Sequence, residues 1–297
     1  MLKRSQSHHG LISDPPFDGA LPQSLVYRTV SAALDEDLGL AGDVTTEATV
    51  PADQTVKAAI VARASGCIAG KALAEAAFKS FDHDAAFDAA VADGADVEAG
   101  QTVATVAGKA RAVLTGERVA LNFLSRLSGV ASLTRTYARA VEGTGARICC
   151  TRKTTPGLRA FEKYAVRAGG GMNHRFGLHD AVLIKDNHIA AAGGIAAAVE
   201  RARARAGHMV KIEVEVDTLA QLDEVLKRPV DAVLLDNMDL ETLAEAVARV
   251  DGRMLTEASG GISLETVRGI AETGVDLISV GALTHSAPAL DLGLDFL

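Results

Sequence analysis

Tryptophan is absent from this sequence, and aromatic residues make up only 4% of it. An aromatic-rich binding surface is therefore not what the chain offers. Cysteine is scarce as well. Cys67, Cys149 and Cys150 are an odd number with two adjacent, which implies no disulfide framework. They read as core residues, with no base nearby in the sequence to mark a nucleophile. No signal peptide is evident, and no apolar run is long enough to cross a bilayer. Excess positive charge is also lacking. The formal net charge is −8, which argues against a general nucleic-acid or membrane surface. The expectation is a cytoplasmic protein that handles small molecules.

What is abundant is alanine, valine, leucine and glycine. Apolar residues are 48% of 297, enough for one large domain or two smaller ones of α/β type. Charge is unevenly spread. From Thr151 to Ile189 stand Arg152, Lys153, Arg159, Lys163, Arg167, Arg175 and Lys185 against Glu162, Asp180 and Asp186, a local net of +4. The same region carries TRKTTPG and RAGGGMNHRFGLHDAVLIKDNH. Cations gathered on turn-rich backbone suggest a site for a small anion.

The periodicity changes along the chain. SLVYRTVSAALDEDLG has helical spacing closed by Gly39, AAIVARA reads as a strand, and KALAEAAFKSF as a short amphipathic helix. DGADVEAGQTVATVAGKARAV looks like two β-rich runs, and TGERVALNFLSRLSGVASLTRTYARAV like a long helix that buries Val119, Leu121, Leu124, Leu127 and Val130. From about residue 147, short apolar runs alternate with helical segments: ICCT, AVLIK, KIEVEV, AVLLDN, MLTEAS and LISVG. Strands buried on both faces of a parallel sheet are this apolar. Nearly every run ends on a polar residue or glycine, as expected where strand C-termini open on one catalytic face of a β/α barrel. Six runs suit an incomplete or irregular barrel; an open doubly wound sheet is the alternative.

The strand ends supply the candidate residues. Arg152 and Lys153 suit a phosphate or carboxylate, although a solvated loop would look the same. Gly169 to Gly171, ahead of His174 and Arg175, allow close approach of backbone to a ligand, or simply a turn. Lys185 should point into the barrel mouth, to bind an anion or form a Schiff base. Glu213 and Glu215 share a face, with Glu215 nearer the strand end. Glu215 and Asp236 could hold a divalent metal or stabilise a developing cation, the bland reading being structural ion pairs. Ser259, Gly260, Gly261 and Gly281 leave room and free N–H groups for phosphate, unless tight packing explains them. His188 reads as a helix-start residue.

ERVALNFLSRLSG, TRKTTPGLR, EKYAVRAGGGMNHRFGLHDAVLIKDNH, EVEV, LLDNM, EASGGI and GVDLISVGALTHSAPALDLGLDF together resemble the quinolinate phosphoribosyltransferase family over nearly the whole chain after about residue 25. The resemblance implies an N-terminal α/β sandwich and an irregular, open β/α (TIM-like) barrel. It places the sandwich at 23–128, with 287–297 packing back, and the barrel at 129–286, after a loose extension at 1–22. It implies transfer of phosphoribose from 5-phosphoribosyl 1-pyrophosphate to quinolinate with loss of CO2, Mg2+ dependence, and a homodimer with shared active sites. Arg118, Arg152, His174, Arg175 and Lys185 would meet quinolinate, with Arg118 lent across the dimer. Lys153, Glu215, Asp236, Ser259, Gly260 and Gly281 would meet the phosphoribosyl donor, with Glu215 and Asp236 on the metal side. Lys153, Lys185, Glu215 and Asp236 would act in catalysis. Rival readings are a same-fold transferase for another acid, a Schiff-base aldolase using Lys185 or Lys153, and a phosphate-binding protein without turnover.

Overall fold

The computed structural model describes residues 19–297. The expected extension at 1–22 therefore lies, up to residue 18, outside the described residues. In chain order the elements are α1 (Gln23–Leu38), α2 (Val44–Thr49), β1 (Thr55–Ala62), β2 (Gly66–Cys67), α3 (Lys71–Lys79), β3 (Ala86–Ala89), β4 (Asp96–Val97), β5 (Thr102–Lys109) and α4 (Ala110–Ala140). There follow β6 (Arg147–Cys149), α5 (Arg159–Ala168), β7 (Val182–Ile184), α6 (Asp186–Ala192), α7 (Ile195–Arg205), β8 (Ile212–Val216) and α8 (Leu219–Val225). The chain ends with β9 (Ala232–Asp236), α9 (Leu240–Val250), β10 (Leu255–Ser259), α10 (Val267–Glu272), β11 (Leu277–Ser279), α11 (Ala282–His285) and β12 (Leu292–Phe296). Among the described residues no helix is long and apolar enough to cross a membrane.

Two compact units result. One holds residues 19–135, 155–170 and 283–297, and the other 136–154 and 171–282. In the first, antiparallel strands run in the order β12-β1-β5-β3. Ala58 pairs with Val106 and Ile60 with Ala104, all four fully buried. Val26, Val30 and Leu34 form the buried stripe of α1, four residues apart as helical geometry requires. Small side chains on α3 let Phe78 reach the sheet, where its ring stacks on Phe87 at 6.3 Å between centroids. The five apolar positions read as buried on α4 are all buried. That helix starts earlier than expected: KARAV, read as the end of a β run, turns helical at Ala110. Alanine and arginine are strong helix formers, and the Ala110 N–H finds its partner on Gln54 O at 2.8 Å rather than in a sheet.

Residues 155–170 pack with this unit and not with the barrel. The Tyr164 hydroxyl donates to Asp93 at 2.6 Å. Arg126 donates to Glu162 at 2.7 Å, and that wholly buried carboxylate also accepts the Thr155 N–H and hydroxyl at 3.0 and 2.7 Å. Charge-assisted bonds from two segments thus satisfy a group that would be costly to bury alone. The first glycine of the GGG run is explained here. A Cβ on Gly169 would lie 2.4 Å from Ala131 O and 2.7 Å from Thr134 Cβ, so the end of α5 approaches α4 too closely for any side chain.

The second unit is a six-stranded parallel sheet in the order β6-β11-β10-β9-β8-β7. Five strands follow one another without reversal, and the two consecutive strands β6 and β7 stand at opposite edges. That order is natural for a barrel whose seam lies between β6 and β7; a doubly wound sheet would reverse its order midway. The seam stays open, which makes the barrel irregular. Each strand falls on one of the expected apolar runs. In β8, Ile212, Val214 and Val216 are buried, while Glu213 and Glu215 occupy the opposite face.

Gly169→Ala should lower stability by about 1–3 kcal/mol, seen as a melting temperature several degrees lower. An unchanged melting temperature would show that the close approach to α4 does not dictate this glycine.

Candidate active site

The strand ends of the barrel carry the candidates. β6 leads into a turn in which the Lys153 N–H meets Thr151 Oγ1 and the Thr154 N–H meets Arg152 O, both at 3.0 Å. The turn presents Lys153 to solvent and leaves Arg152 half-buried. The next cations come by a route the sequence does not announce. Met172 forms a parallel bridge with Cys149 on the free edge of β6, through Met172 N–H to Ile148 O and Cys150 N–H to Met172 O. His174 and Arg175 therefore follow a strand-like residue, as if from one more strand end. The HR pair reads in the sequence as part of a loop; a bridge of one residue leaves no alternation to detect.

Arg152 and Arg175 are brought together. Burial, followed by the neighbouring Arg152 guanidinium, pushes Arg175 below the ordinary arginine value, partly offset by the Asp180 and Glu213 carboxylates. Arg175 gives one bond to Ala181 O at 3.2 Å. The Nε of each arginine is buried without a hydrogen-bond partner among the described residues. Two like charges with unspent donors are unfavourable alone and become favourable around an anion.

On the same face, Lys185 Nζ pairs closely with Glu215. His188 is the helix-start residue expected: on the first turn of α6, its Nδ1 accepts the Lys185 N–H at 2.9 Å. At the next strand end, Asp236 accepts the Asn237 amide at 2.7 Å. Asn237 has φ 54°, and its N–H reaches Ser259 O at 2.9 Å. Gly260, expected to leave room for phosphate, is filled on its side-chain face. A Cβ there would lie 2.1 Å from Asn237 Oδ1, and its φ is +90°. Packing therefore explains Gly260, while Gly261 has open space. Gly281 follows β11, where the Val280 N–H extends the pairing to Cys149 O. Arg118 belongs to the sheet-bearing unit, exposed on α4. Lys163, counted among the cations of the basic region, is 1% exposed and lies in the core of that unit.

The sequence does not mark Glu213 and Glu257 as partners of His174. The His174 ring, expected to face a ligand, has both nitrogens engaged. Nδ1 accepts the Arg175 N–H at 2.7 Å, and Nε2 lies 3.0 Å from Glu213 and 3.6 Å from Glu257. Glu213 is legible only as the same-face neighbour of Glu215. Glu257 is one acid in the MLTEAS run, and nothing local couples it to a histidine more than eighty residues away. Burial, then the Glu213 carboxylate, raises the Glu257 carboxyl to about 7, partly offset by His174, Ser279 and Cys149.

That shift has a consequence for stability. The folded chain keeps a proton on Glu257 between its ordinary value of 4.5 and about 7, where the unfolded chain has lost it. The contribution of this group is full below about 4.5 and fades as pH rises to about 7. Glu257→Gln cannot ionise. Relative to the parent it should gain stability as pH climbs through that window, then level off, as measured by urea unfolding at several pH values. A difference that does not vary with pH would mean an ordinary carboxyl.

Comparisons with known proteins identify the family. Residues 43–128 match the family described as quinolinate phosphoribosyl transferase, N-terminal domain, and residues 130–295 match its C-terminal domain. The chain is 46% identical to the probable nicotinate-nucleotide pyrophosphorylase (carboxylating) of Bacillus subtilis, over 88% of this chain and 89% of that one. It is also 46% identical to the nicotinate-nucleotide pyrophosphorylase (carboxylating) of Mycobacterium leprae, over 96% and 100%. The crystal structure of NadC from Streptococcus pyogenes superposes with a TM-score of 0.90 at 41% identity, covering 94% of this chain and 100% of that one. Matched in both halves by sequence and along nearly its whole length by structure, the chain belongs to the quinolinate phosphoribosyltransferase family.

Proposed function

We propose that the chain transfers the phosphoribosyl group of 5-phosphoribosyl 1-pyrophosphate to the ring nitrogen of quinolinate, with decarboxylation, giving nicotinate mononucleotide, pyrophosphate and CO2. The observation that carries this reading is the Arg152–Arg175 pair, half-buried, mutually repelling and with unspent N–H groups. Quinolinate bears two adjacent carboxylates and matches that excess of donors. Relatives with 46% identity carry the name of this activity.

The residues divide the work. Arg152 and Arg175 hold the acceptor carboxylates, with Lys185 beside them and His174 fixing the Arg175 backbone. Departure of pyrophosphate leaves positive charge on the ribose C1, and the Glu215 carboxylate on the barrel face suits its stabilisation. Exposed Lys153 suits the leaving pyrophosphate. Asp236, Ser259 and Gly281 stand at consecutive strand ends, on the side proposed for the phosphoribosyl donor. The new ring cation then favours loss of CO2 by stabilising the electron pair left at C2, which takes a proton from water to give the product. No covalent bond to the protein is needed.

Mg2+ fits this donor side. Glu215 and Asp236 are hard oxygen donors on neighbouring strands, and Mg2+ typically takes one or two carboxylates and completes its shell with water and substrate phosphates. When bound it would neutralise charge on the departing pyrophosphate. Glu215 is already paired with Lys185, so Asp236 is the more available ligand.

A homodimer with Arg118 lent to the neighbouring site suits the exposure of that arginine on α4. Three buried cysteines outside any disulfide suit the reducing cytoplasm. A Schiff-base aldolase is disfavoured, because the Lys185 amine is committed to Glu215 and not presented as a free nucleophile.

Arg175→Ala should raise the KM for quinolinate about 10- to 100-fold, the size of a lost bond to a charged group, and leave the donor KM within about twofold. Equal losses for both substrates would remove Arg175 from the acceptor site. Glu215→Ala should lower kcat by about 100-fold or more with smaller changes in KM; steady-state rates decide, and an unaltered kcat would exclude it from the chemistry.

A further inference from the structure

The imidazole of His174 is fixed on both of its nitrogens. Nδ1 accepts the Arg175 N–H at 2.7 Å, so the hydrogen bonds assign the ring proton to Nε2, which donates to Glu213 Oε2 at 3.0 Å. Glu257 Oε2 lies 3.6 Å from the same nitrogen. Glu257 is 2% exposed, and its Oε1 has no hydrogen-bond partner among the described residues.

The three donor groups lie within 4.8 Å of one another, close enough to hold a metal ion. The tautomer argues against one. A metal on Nε2 would displace its proton to Nδ1, and Nδ1 already faces the Arg175 N–H. The arrangement instead holds a ring in place. Two acids on β8 and β10 face one imidazole, Glu213 by a hydrogen bond and Glu257, which also meets Ser279 and Cys149, by charge, although burying them side by side is costly. What they secure is the tautomer and tilt of a ring bonded to the backbone of the next residue. That residue is Arg175, whose guanidinium donates to Ala181 O and also feels the Asp180 and Glu213 carboxylates.

We infer that Glu213 and Glu257 are positioning residues for the acceptor: acting through His174, they set the Arg175 backbone and aim its guanidinium at a quinolinate carboxylate. The inference rests on the function proposed above. Neither acid needs to touch substrate for this role. Its effect should therefore appear in acceptor binding and vanish when Arg175 cannot respond.

The test uses the full-length protein with steady-state kinetics for both substrates. Glu257→Gln keeps shape and removes the charge that the carboxyl carries above about pH 7, so the rates are compared at alkaline pH. It should raise the quinolinate KM about tenfold, with kcat and the donor KM within about twofold, through loss of bonding to a charged group. In an Arg175→Ala background the same substitution should change the quinolinate KM less than twofold. An unaltered quinolinate KM, an equal rise in both KM values, or a tenfold penalty persisting without Arg175 would overturn the inference. If Glu257→Gln does not fold, Glu213→Gln at the more accessible carboxylate faces the same three criteria. Absence of quinolinate turnover in the parent protein would instead overturn the function itself.

Discussion

Two guanidinium groups held close enough to repel each other are the constraint on which this site depends. Neither Arg152 nor Arg175 can relax into water, because both are half-buried with Nε enclosed. The scaffold must hold that repulsion until an anion relieves it. In a partly dry site the attraction for a dicarboxylate is correspondingly larger than it would be at the surface. Preorganised donors of this kind are costly in the free protein and favourable in the complex.

The barrel supplies the holding force. Arg152 follows β6, and Arg175 follows a single bridged residue on the edge of β6. Both backbones are thereby tied to a parallel sheet of buried Val, Leu and Ile. Alternate residues of β8, β9 and β10 send acids to the opposite face, so each cation finds a carboxylate as a fixed neighbour: Lys185 with Glu215, His174 with Glu213 and Glu257. Arg175 has the Asp180 and Glu213 carboxylates only as a partial offset to burial and to Arg152, which leaves an excess of positive charge for the proposed acceptor. Outside the barrel, the buried Glu162 bonded by Arg126 and Thr155 anchors the far end of the TRKTTPG turn in the sheet-bearing unit.

Much of the frame was legible because period-2 apolar runs and helical stripes are local signals. All six barrel strands lie on runs read from the sequence, and α1 closes at Gly39 as its composition suggests. Failures came where a non-local contact decided. KARAV turns helical because the Ala110 N–H bonds to Gln54. Residues 155–170 join the sheet-bearing unit through Asp93 and Arg126, distant in sequence. Gly169 and Gly260, read as ligand-facing, are small because Ala131 O and the Asn237 side chain occupy the space. The cations proposed for the acceptor stand in motifs that the sequence displays. The two acids that orient His174 could not, since pairing across strands appears only when the sheet is formed.

The account stands or falls on whether the arginine pair receives a dicarboxylate that then loses CO2. The direct measurement incubates the protein with quinolinate labelled in the 2-carboxylate, 5-phosphoribosyl 1-pyrophosphate and Mg2+, and follows labelled CO2. The account predicts release that requires both organic substrates and the metal. No release, with the donor still bound, would contradict it and assign the cradle to a different acid.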